Sequence, residues 1–150
     1  MTSHYLLLKY FHILIAILAL GTSAGLGIVL EFYGSHATHG AFVLRAIRRL
    51  VAFFVVPGYV LMLVTGLWMV NLAWPLTTRW IQEAIVLWAV GLAGLAIFVP
   101  VLHRQIQLLE AGGPDSTRYE RVSLLGRALG GGLGLVVVII LYLMVFKPGT

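Results

Sequence analysis

The sequence predicts an all-α integral membrane protein, folded as an antiparallel four-helix bundle. Hydrophobic residues make up 61% of the 150 positions and charged residues only 10%, a composition far from that of soluble domains. The apolar residues fall into four segments, at about 5–30, 44–72, 79–102 and 121–146. Each segment is long enough to cross a hydrocarbon core of about 30 Å at about 1.5 Å per helical residue. We therefore expect a single transmembrane domain over residues 1–150.

The first apolar segment carries the principal candidate site residue, His12. This segment exceeds the apolar run of about 7–15 residues found in signal peptides, so we expect a retained transmembrane helix. Steps of three or four residues trace one polar and small stripe that we expect to face the bundle: Tyr5, Lys9, His12, Ala16, Ala19, Ser23 and Gly27. A titratable side chain inside a bilayer is costly, so His12 marks a functional site by default.

The other three segments repeat the pattern of one small or polar face. The face contains Gly58, Met62, Thr65 and Met69 in the second segment, Trp80, Glu83, Leu87, Gly91 and Gly94 in the third, and Gly131, Gly134, Val138 and Tyr142 in the fourth. Small residues let membrane helices approach closely, and Gly21-x-x-x-Gly25 and the run 130–134 are the sharpest examples. Pro57 lacks a backbone N–H and leaves a carbonyl near Phe53 without a partner, so we expect a kink that widens the bundle.

Basic residues at the segment ends predict the orientation of the chain. One side of the membrane receives seven arginines, Arg45, Arg48, Arg49, Arg104, Arg118, Arg121 and Arg127, and the other receives Lys9, Arg79 and Lys147. The positive-inside rule then places both chain termini outside the cytoplasm. Lipid headgroups explain the net charge of +5, so we expect the lipid bilayer, and no nucleic acid, as its partner.

Alternating helix directions place a polar cluster in the half of the bundle that holds His12. Its other members are Met62, Thr65, Met69, Glu83, Tyr142 and Met144. A carboxylate in lipid needs a cation, a hydrogen bond or a proton, so we expect Glu83 to pair with His12 or Lys9. Three roles stay open for His12: a hydrogen bond to a neighbour such as Thr65 or Tyr142 that fixes helix packing, ligation of haem or a metal ion, and proton transfer.

The sequence contains no cysteine, which excludes disulfides, thiolate metal sites, iron–sulfur clusters and the covalent attachment of c-type haem. A weaker metal candidate is His36-x-x-His39 with Glu31, in a segment from 34 to 40 that has the composition of a loop. No Gly-rich phosphate loop, nucleophile elbow or metalloprotease motif occurs, so a nucleotide enzyme or a hydrolase of soluble type is not expected.

Three stretches of the chain carry a resemblance to a known family. They are Tyr5-Leu6-Leu7-Leu8-Lys9-Tyr10-Phe11-His12-Ile13, Val64-Thr65-Gly66-Leu67-Trp68 and Leu143-Met144-Val145-Phe146-Lys147-Pro148-Gly149. In this order they resemble the bacterial predicted integral membrane proteins classed as domain of unknown function 2269, over nearly the whole chain. The resemblance implies a multi-pass protein of the bacterial cytoplasmic (inner) membrane.

A more distant similarity concerns cofactor binding. The early His12, the late Gly66-x-Trp68 of the second segment and Trp80 at the start of the third are similar to copper-resistance D proteins and small membrane-bound protoporphyrinogen oxidases. This similarity implies a four-helix fold that can hold haem b, with His12 as axial ligand. The oxidases carry a lysine near the start of the third helix, where this chain has Glu83 nearby, so oxidase activity is not expected.

The haem hypothesis needs a second axial ligand, and no other histidine is expected at the depth of His12. We expect Met62, Met69 or an open position there, while Glu83 or Lys9 tunes the charge of the site. The leading functional prediction is thus a membrane protein of redox or electron transfer that binds haem b.

Two other functions stay open. A cofactor-free accessory subunit would pack against a larger membrane complex, or against copies of itself, through its glycine faces. A proton-coupled or metal-handling membrane component would use Glu83 and His12 as a relay. Haem binding predicts an aromatic-lined cavity open beside His12, whereas an accessory subunit predicts tight closure there and a glycine-rich outer surface.

Overall fold

Four long helices make up most of the chain that the computed structural model describes, residues 3–36 and 38–149. They are α1 (Ser3–Tyr33), α2 (Gly40–Ala73), α3 (Arg79–Gly112) and α4 (Thr117–Phe146), and each is long and apolar enough to cross a membrane. No strand occurs in these described residues. The predicted all-α membrane fold with four spans is therefore confirmed.

The helices extend beyond the apolar segments, most clearly at the end of α3. The sequence predicts an end near residue 102, yet the helix continues to Gly112. Leu102, Ile106 and Leu109 are buried while polar residues cover the opposite face. An amphipathic extension therefore keeps packing against the bundle after the apolar run has ended.

Short connections join the helices, as the composition predicts. Gly113 follows α3 with a positive φ of 73°, a conformation that glycine adopts without strain. The Ser116 hydroxyl accepts a hydrogen bond from the Tyr119 N–H at 3.2 Å and so caps the start of α4. In the first connection, residues 34–36, 38 and 39 are not helical, and Ala37 lies outside the described residues.

Pro57 changes the local geometry of α2. The residues Val51–Val55 form a π-helical turn that ends just before it. Because proline has no N–H to donate to the preceding turn, the helix rearranges its hydrogen bonds at this point. α2 nevertheless continues to Ala73. Pro100 also lies inside α3 without ending it, which packing in a membrane bundle tolerates.

α1 packs closely along α2. A Cβ atom added to Gly58 would lie 2.6 Å from the Cβ of Ala19, so these two helices nearly touch through their backbones. His12 of α1 contacts Thr65, which is further along α2. The contacts thus move toward the start of α1 as they move toward the end of α2, the order expected of neighbours that run in opposite directions.

α3 and α4 form the second close pair. A Cβ atom added to Gly94 would lie 2.8 Å from Cδ2 of Leu133. Nearer the end of α3, the Gln105 side chain donates a hydrogen bond to the Tyr119 hydroxyl near the start of α4. These contacts follow the same order along the two helices as those between α1 and α2.

Two clusters of buried side chains hold the helices together. The larger cluster lies toward the arginine-rich end and consists of Leu30, Leu44, Ile47, Val51, Val55, Tyr59, Leu95, Phe98, Leu102, Ile106, Leu109 and Tyr119. The smaller cluster lies toward the opposite end and consists of Val70, Trp80, Ile81, Ala84 and Leu143. There the Lys147 ammonium lies 4.8 Å from the ring centroid of Trp74 and 5.8 Å from that of Trp80. This contact fastens the end of α4 to the α2–α3 connection.

The predicted inward stripe of α1 holds at most positions. Tyr5 and Ala19 are buried and His12 is half-buried, but Gly27 and Lys9 are exposed. A glycine has no side chain that would have to turn inward, and the case of Lys9 is different. Its long aliphatic stem lets the ammonium group leave the helix face for the headgroup layer.

The predicted inward face of α4 is wrong. Gly131, Gly134, Val138 and Tyr142 are exposed, whereas the buried residues of this helix are Tyr119, Ser123, Gly126 and Leu143. The large Tyr119 and Leu143 near the two ends of α4 fix its rotation. Between them, glycine and aliphatic residues occur on every side, so the sequence does not reveal which face is inward.

Candidate functional site

His12 lies at the contact between α1 and α2. Its Nδ1 atom is 2.7 Å from the Thr65 hydroxyl oxygen. The Thr65 hydroxyl donates in turn to the carbonyl of Leu61 at 2.8 Å, with the Met62 carbonyl at 3.2 Å. When the hydroxyl proton is directed to the Leu61 carbonyl, Nδ1–H of His12 is the donor to the Thr65 oxygen. The Nε2 atom then carries the free lone pair, which is the state of a histidine that can ligate a metal.

Gly66 provides the space for the His12 ring. A Cβ atom added there would lie 3.3 Å from Cε1 of the imidazole, so the ring lies against the backbone of α2. A hydrogen bond to Thr65 that fixes helix packing is one of the three roles predicted for His12, and the structure contains that bond. No open space therefore remains between the His12 ring and α2 at Gly66.

Two shallow cavities occur in the described part of the chain, and His12 lines neither. One, of about 60 Å³, lies between the helices and has Ser23, Val51, Leu95 and Gly130 among its walls. The other is an open groove of about 420 Å³ between α3 and α4. The aromatic-lined cavity that haem binding predicts beside His12 is therefore not among them.

The chain matches one known protein family over nearly its whole length. Residues 6–148 match the family described as predicted integral membrane protein, DUF2269. The chain belongs to this family. No curated protein and no solved structure is significantly similar to it. DUF2269 membership establishes an integral membrane protein, and the similarity to copper-resistance D proteins stays a prediction.

The remaining candidate residues of this DUF2269 protein are spread over several surfaces. Met62 packs against the larger buried cluster, and Met69 is half-buried further along α2. Lys9 is exposed on α1. Glu83 lies on α3, where its carboxylate accepts a hydrogen bond from Nε of Arg79 at 2.9 Å.

The predicted pairing of Glu83 with His12 or Lys9 is wrong. Within the described residues the carboxylate pairs with Arg79, which lies one helical turn earlier on the same face of α3. The structure therefore joins His12 to Thr65 and leaves Glu83 in a separate ion pair. The relay from Glu83 to His12 that a proton-coupled component would use is not formed.

The arginine-rich end of the DUF2269 bundle contains ion pairs between helices. Arg45 of α2 pairs with Glu110 of α3, and Arg127 of α4 pairs with Glu31 of α1 at 3.3 Å. Glu31 was a candidate ligand beside His36 and His39, but its carboxylate meets α4 because the end of α1 lies next to that helix. These pairs are exposed and each contributes about 0–1 kcal/mol.

His36 and His39 interact with each other and with the local backbone. Their rings stack with centroids 5.2 Å apart, and Nδ1 of His36 accepts hydrogen bonds from the backbone N–H groups of Thr38 and His39 at 3.3 and 3.4 Å. In residues 3–36 and 38–149, no group of three histidines or carboxylates suitable for a metal ion occurs.

A buried hydrogen-bond network was missed by the sequence analysis. The Tyr119 hydroxyl donates to the Gly34 carbonyl at 2.6 Å and accepts from Nε2 of Gln105 at 3.2 Å. Tyr119 is 1% and Gln105 2% exposed, so this network links α3 and α4 to the α1–α2 connection inside the core. Both residues lie just outside predicted apolar segments, and helical continuation of the spacing from Leu102 would have placed Gln105 on the inward face.

Proposed function

We propose that this DUF2269 protein is an accessory membrane subunit that assembles laterally with other transmembrane helices. The observation that carries the proposal is the glycine surface of α4, formed by Gly131, Gly132 and Gly134. All three residues are exposed, and a Cβ atom added to any of them would meet nothing within 4 Å. Within this chain these glycines therefore make no close helix contact.

Glycine in a helix costs about 0.5–1 kcal/mol relative to alanine, so a cluster without contacts weakens α4. In a bilayer such residues let a second helix approach closely, and this close packing replaces the hydrophobic driving force that lipid removes. The exposed Leu135 and Val138 beside the glycine surface supply apolar flanks. Closure of α1 on α2 at His12 supports the same function, because an accessory subunit needs no cofactor cavity there.

The test compares the double variant Gly131→Leu/Gly134→Leu with the control Ala93→Leu. Ala93 is exposed on α3, so its replacement introduces an exposed leucine away from the glycine surface. We expect the wild type and the control to purify in mild detergent as an oligomer or a complex of fixed stoichiometry, and the double variant as a monomer. Light scattering coupled to chromatography measures this. A monomeric wild type, or a double variant that assembles normally, would overturn the proposal.

A second proposal rests on a separate observation: among residues 3–36 and 38–149, no hydrogen bond reaches the Nε2 atom of His12. An imidazole whose Nδ1–H is held by Thr65 has the donor chemistry of an axial ligand for haem b. Met62 or Met69 on α2 would supply the second ligand. Clefts for such cofactors measure about 300–1,000 Å³, and His12 lines neither of the two cavities described above, while its ring lies against Gly66. We therefore derive no redox step from this site.

Optical spectra of the oxidised and dithionite-reduced protein test haem binding. If His12 is the ligand, protein expressed with haem supply shows a Soret band and reduced α and β bands that His12→Ala abolishes. Thr65→Val, which leaves the imidazole in place, would shift these bands without abolishing them. A colourless, folded wild type would contradict the haem proposal and leave His12 as a packing residue.

We also propose that the protein lies in the bacterial inner membrane with both termini outside the cytoplasm. Seven arginines lie at or near the connections at one end of the bundle, whereas Lys9, Arg79 and Lys147 belong to the other end. Cytoplasmic connections of membrane proteins carry the excess of lysine and arginine. This distribution supports a cytoplasmic location of the arginine-rich end.

A further inference from the structure

The open groove between α3 and α4 lies near the start of α3. Its volume of about 420 Å³ falls within the range of clefts that bind small molecules, about 300–1,000 Å³. It is lined by Gln82, Glu83, Val86, Leu87, Ile139 and Leu143. Val86 and Ile139 are exposed, and both lie within membrane-length helices. The groove therefore opens toward the hydrocarbon of the bilayer.

The polar residues that line the groove, Gln82 and Glu83, lie at one end of it, and Arg79 next to Glu83 adds a positive charge there. Glu83 lines the groove, and its carboxylate accepts a hydrogen bond from Nε of Arg79, at 2.9 Å. The Arg79 side chain is 83% and the Glu83 side chain 40% exposed. A guanidinium has five N–H donors, and only Nε–H is used in a bond to a described residue. A ligand can therefore reach a cation and an anion at this end.

Aromatic residues locate this polar end at the membrane boundary. Trp74 and Trp80 contact each other edge to face with centroids 5.7 Å apart, and tryptophan is enriched at the headgroup level of membrane proteins. Glu83 follows Trp80 by three residues, or about 4.5 Å along the helix. Val86 lies deeper in the bilayer. The groove thus runs from the headgroup layer into the hydrocarbon.

We propose that this groove binds one phospholipid whose headgroup carries both a phosphate and a primary ammonium group, as in phosphatidylethanolamine. The phosphate oxygens accept hydrogen bonds from the terminal amino groups of Arg79, and the ammonium donates to the carboxylate of Glu83. An acyl chain lies along Val86, Leu87 and Ile139. The neighbouring opposite charges of Arg79 and Glu83 thus match the neighbouring opposite charges of the zwitterionic headgroup.

Other headgroups of the bilayer match this pair less well. A choline headgroup has the same phosphate, but its quaternary ammonium has no N–H to donate to Glu83. A glycerol headgroup carries the phosphate alone, so Arg79 can bind it but the Glu83 carboxylate gains no ammonium partner from the lipid. The site should therefore prefer the ethanolamine lipid by about twofold to fivefold, the range of a single exposed charge pair.

Native mass spectrometry of the detergent-purified, delipidated protein tests the proposal. The probes are phosphatidylethanolamine, phosphatidylcholine and phosphatidylglycerol with identical acyl chains, added at equal concentrations. We expect the wild type to retain more of the ethanolamine lipid, and Glu83→Gln to bind the ethanolamine and choline lipids equally. Arg79→Gln should weaken binding of all three lipids, whereas the control Arg118→Gln, at the other end of the bundle, should leave the preference unchanged.

A second pair of variants tests the groove itself. Val86→Trp fills its apolar part without changing a charge, so it should lower retention of the ethanolamine and choline lipids together. Ile97→Trp is the matched control, because Ile97 is exposed on the same helix but away from the groove. Helical circular dichroism confirms that each variant is folded. Equal binding of the two lipids by the wild type, an intact preference in Glu83→Gln, or full retention in Val86→Trp would overturn the proposal.

Discussion

Among the described residues, only the Thr65 hydroxyl forms a hydrogen bond with a ring nitrogen of His12. When its own proton is directed to the Leu61 carbonyl, the Nδ1 atom of His12 carries the imidazole proton. The direction of one hydroxyl thus determines the tautomer of His12. The sequence predicted a role for His12 but left its partner open, since Thr65 was one of several polar residues at a similar depth.

Replacement of Thr65 by valine keeps the shape of the side chain and removes the hydroxyl. The Nδ1–H group of His12 then loses its acceptor at the α1–α2 contact. Hydrogen bonds between membrane helices contribute about 0.6 kcal/mol on average and at most about 1.7 kcal/mol, so we expect a loss of unfolding free energy in this range. Denaturant titration in micelles, followed by circular dichroism, measures it. The control Thr77→Val, at an exposed position of the α2–α3 connection, should change the stability little. Equal losses of unfolding free energy in the two variants would contradict a stabilising hydrogen bond between His12 and Thr65.

Replacement of Tyr119 tests the buried hydrogen-bond network at the arginine-rich end. Tyr119→Phe removes the hydroxyl that meets Gly34 and Gln105, which leaves a buried carbonyl and a buried amide with fewer partners. Such unsatisfied groups cost about 1–3 kcal/mol. The same change at Tyr142, which is exposed, is the control and should cost little. An equal melting temperature of the Tyr119→Phe protein and the wild type would show that the network contributes nothing to stability.

At the scale of helices, close approach depends on glycines that face a neighbour, not on glycine content. Gly58 touches Ala19, whereas Gly21 and Gly25 meet nothing within 4 Å. Gly58 was predicted on the inward face of its segment and Gly21-x-x-x-Gly25 as a close-packing motif, so the sequence predicted close approach at both. Only the bulky residues around a motif decide which side of the helix turns inward, and the face of α4 was predicted wrongly for that reason.

The contrast between Gly58 and Gly21 gives a paired prediction. Gly58→Ala places a methyl group 2.6 Å from the Cβ of Ala19, so α1 and α2 must separate and the protein loses about 1–3 kcal/mol of stability. Gly21→Ala introduces the same methyl group where nothing lies within 4 Å, and the better helix propensity of alanine adds up to about 1 kcal/mol. Thermal unfolding in one detergent should rank the variants as Gly21→Ala, wild type and Gly58→Ala. The reverse order would contradict the described contact.

For the whole molecule, the number and type of the helices followed from the length of the apolar segments alone. Their mutual contacts did not, because a bilayer makes every lipid-facing and core-facing position apolar and weakens the usual difference between the two. Polar pairs depend on the same unknown rotations. Glu83 therefore pairs with Arg79 on its own helix, and Glu31 with Arg127 of α4.

The absence of cysteine allows a direct test of the proposed orientation. Single cysteines replace Thr77, in the α2–α3 connection, and Asp115, in the α3–α4 connection; both positions are exposed. With the arginine-rich end in the cytoplasm, a membrane-impermeant maleimide should label Thr77→Cys in intact cells whose outer membrane is permeable. Asp115→Cys should react only after the inner membrane is opened. The opposite labelling pattern would invert the topology.

The length of α3 has a consequence for what can reach this protein from the water. Its 34 residues extend about 51 Å, whereas a bilayer with its headgroups measures about 40–45 Å. With Trp80 at one boundary, the hydrocarbon is filled after about 20 residues, near Pro100. The last turns of α3 then lie outside the bilayer, together with the first turns of α2 and α4. The hydrogen bonds of Tyr119 link these segments to one another. A water-soluble macromolecule can therefore touch this short helical stem without entering the membrane.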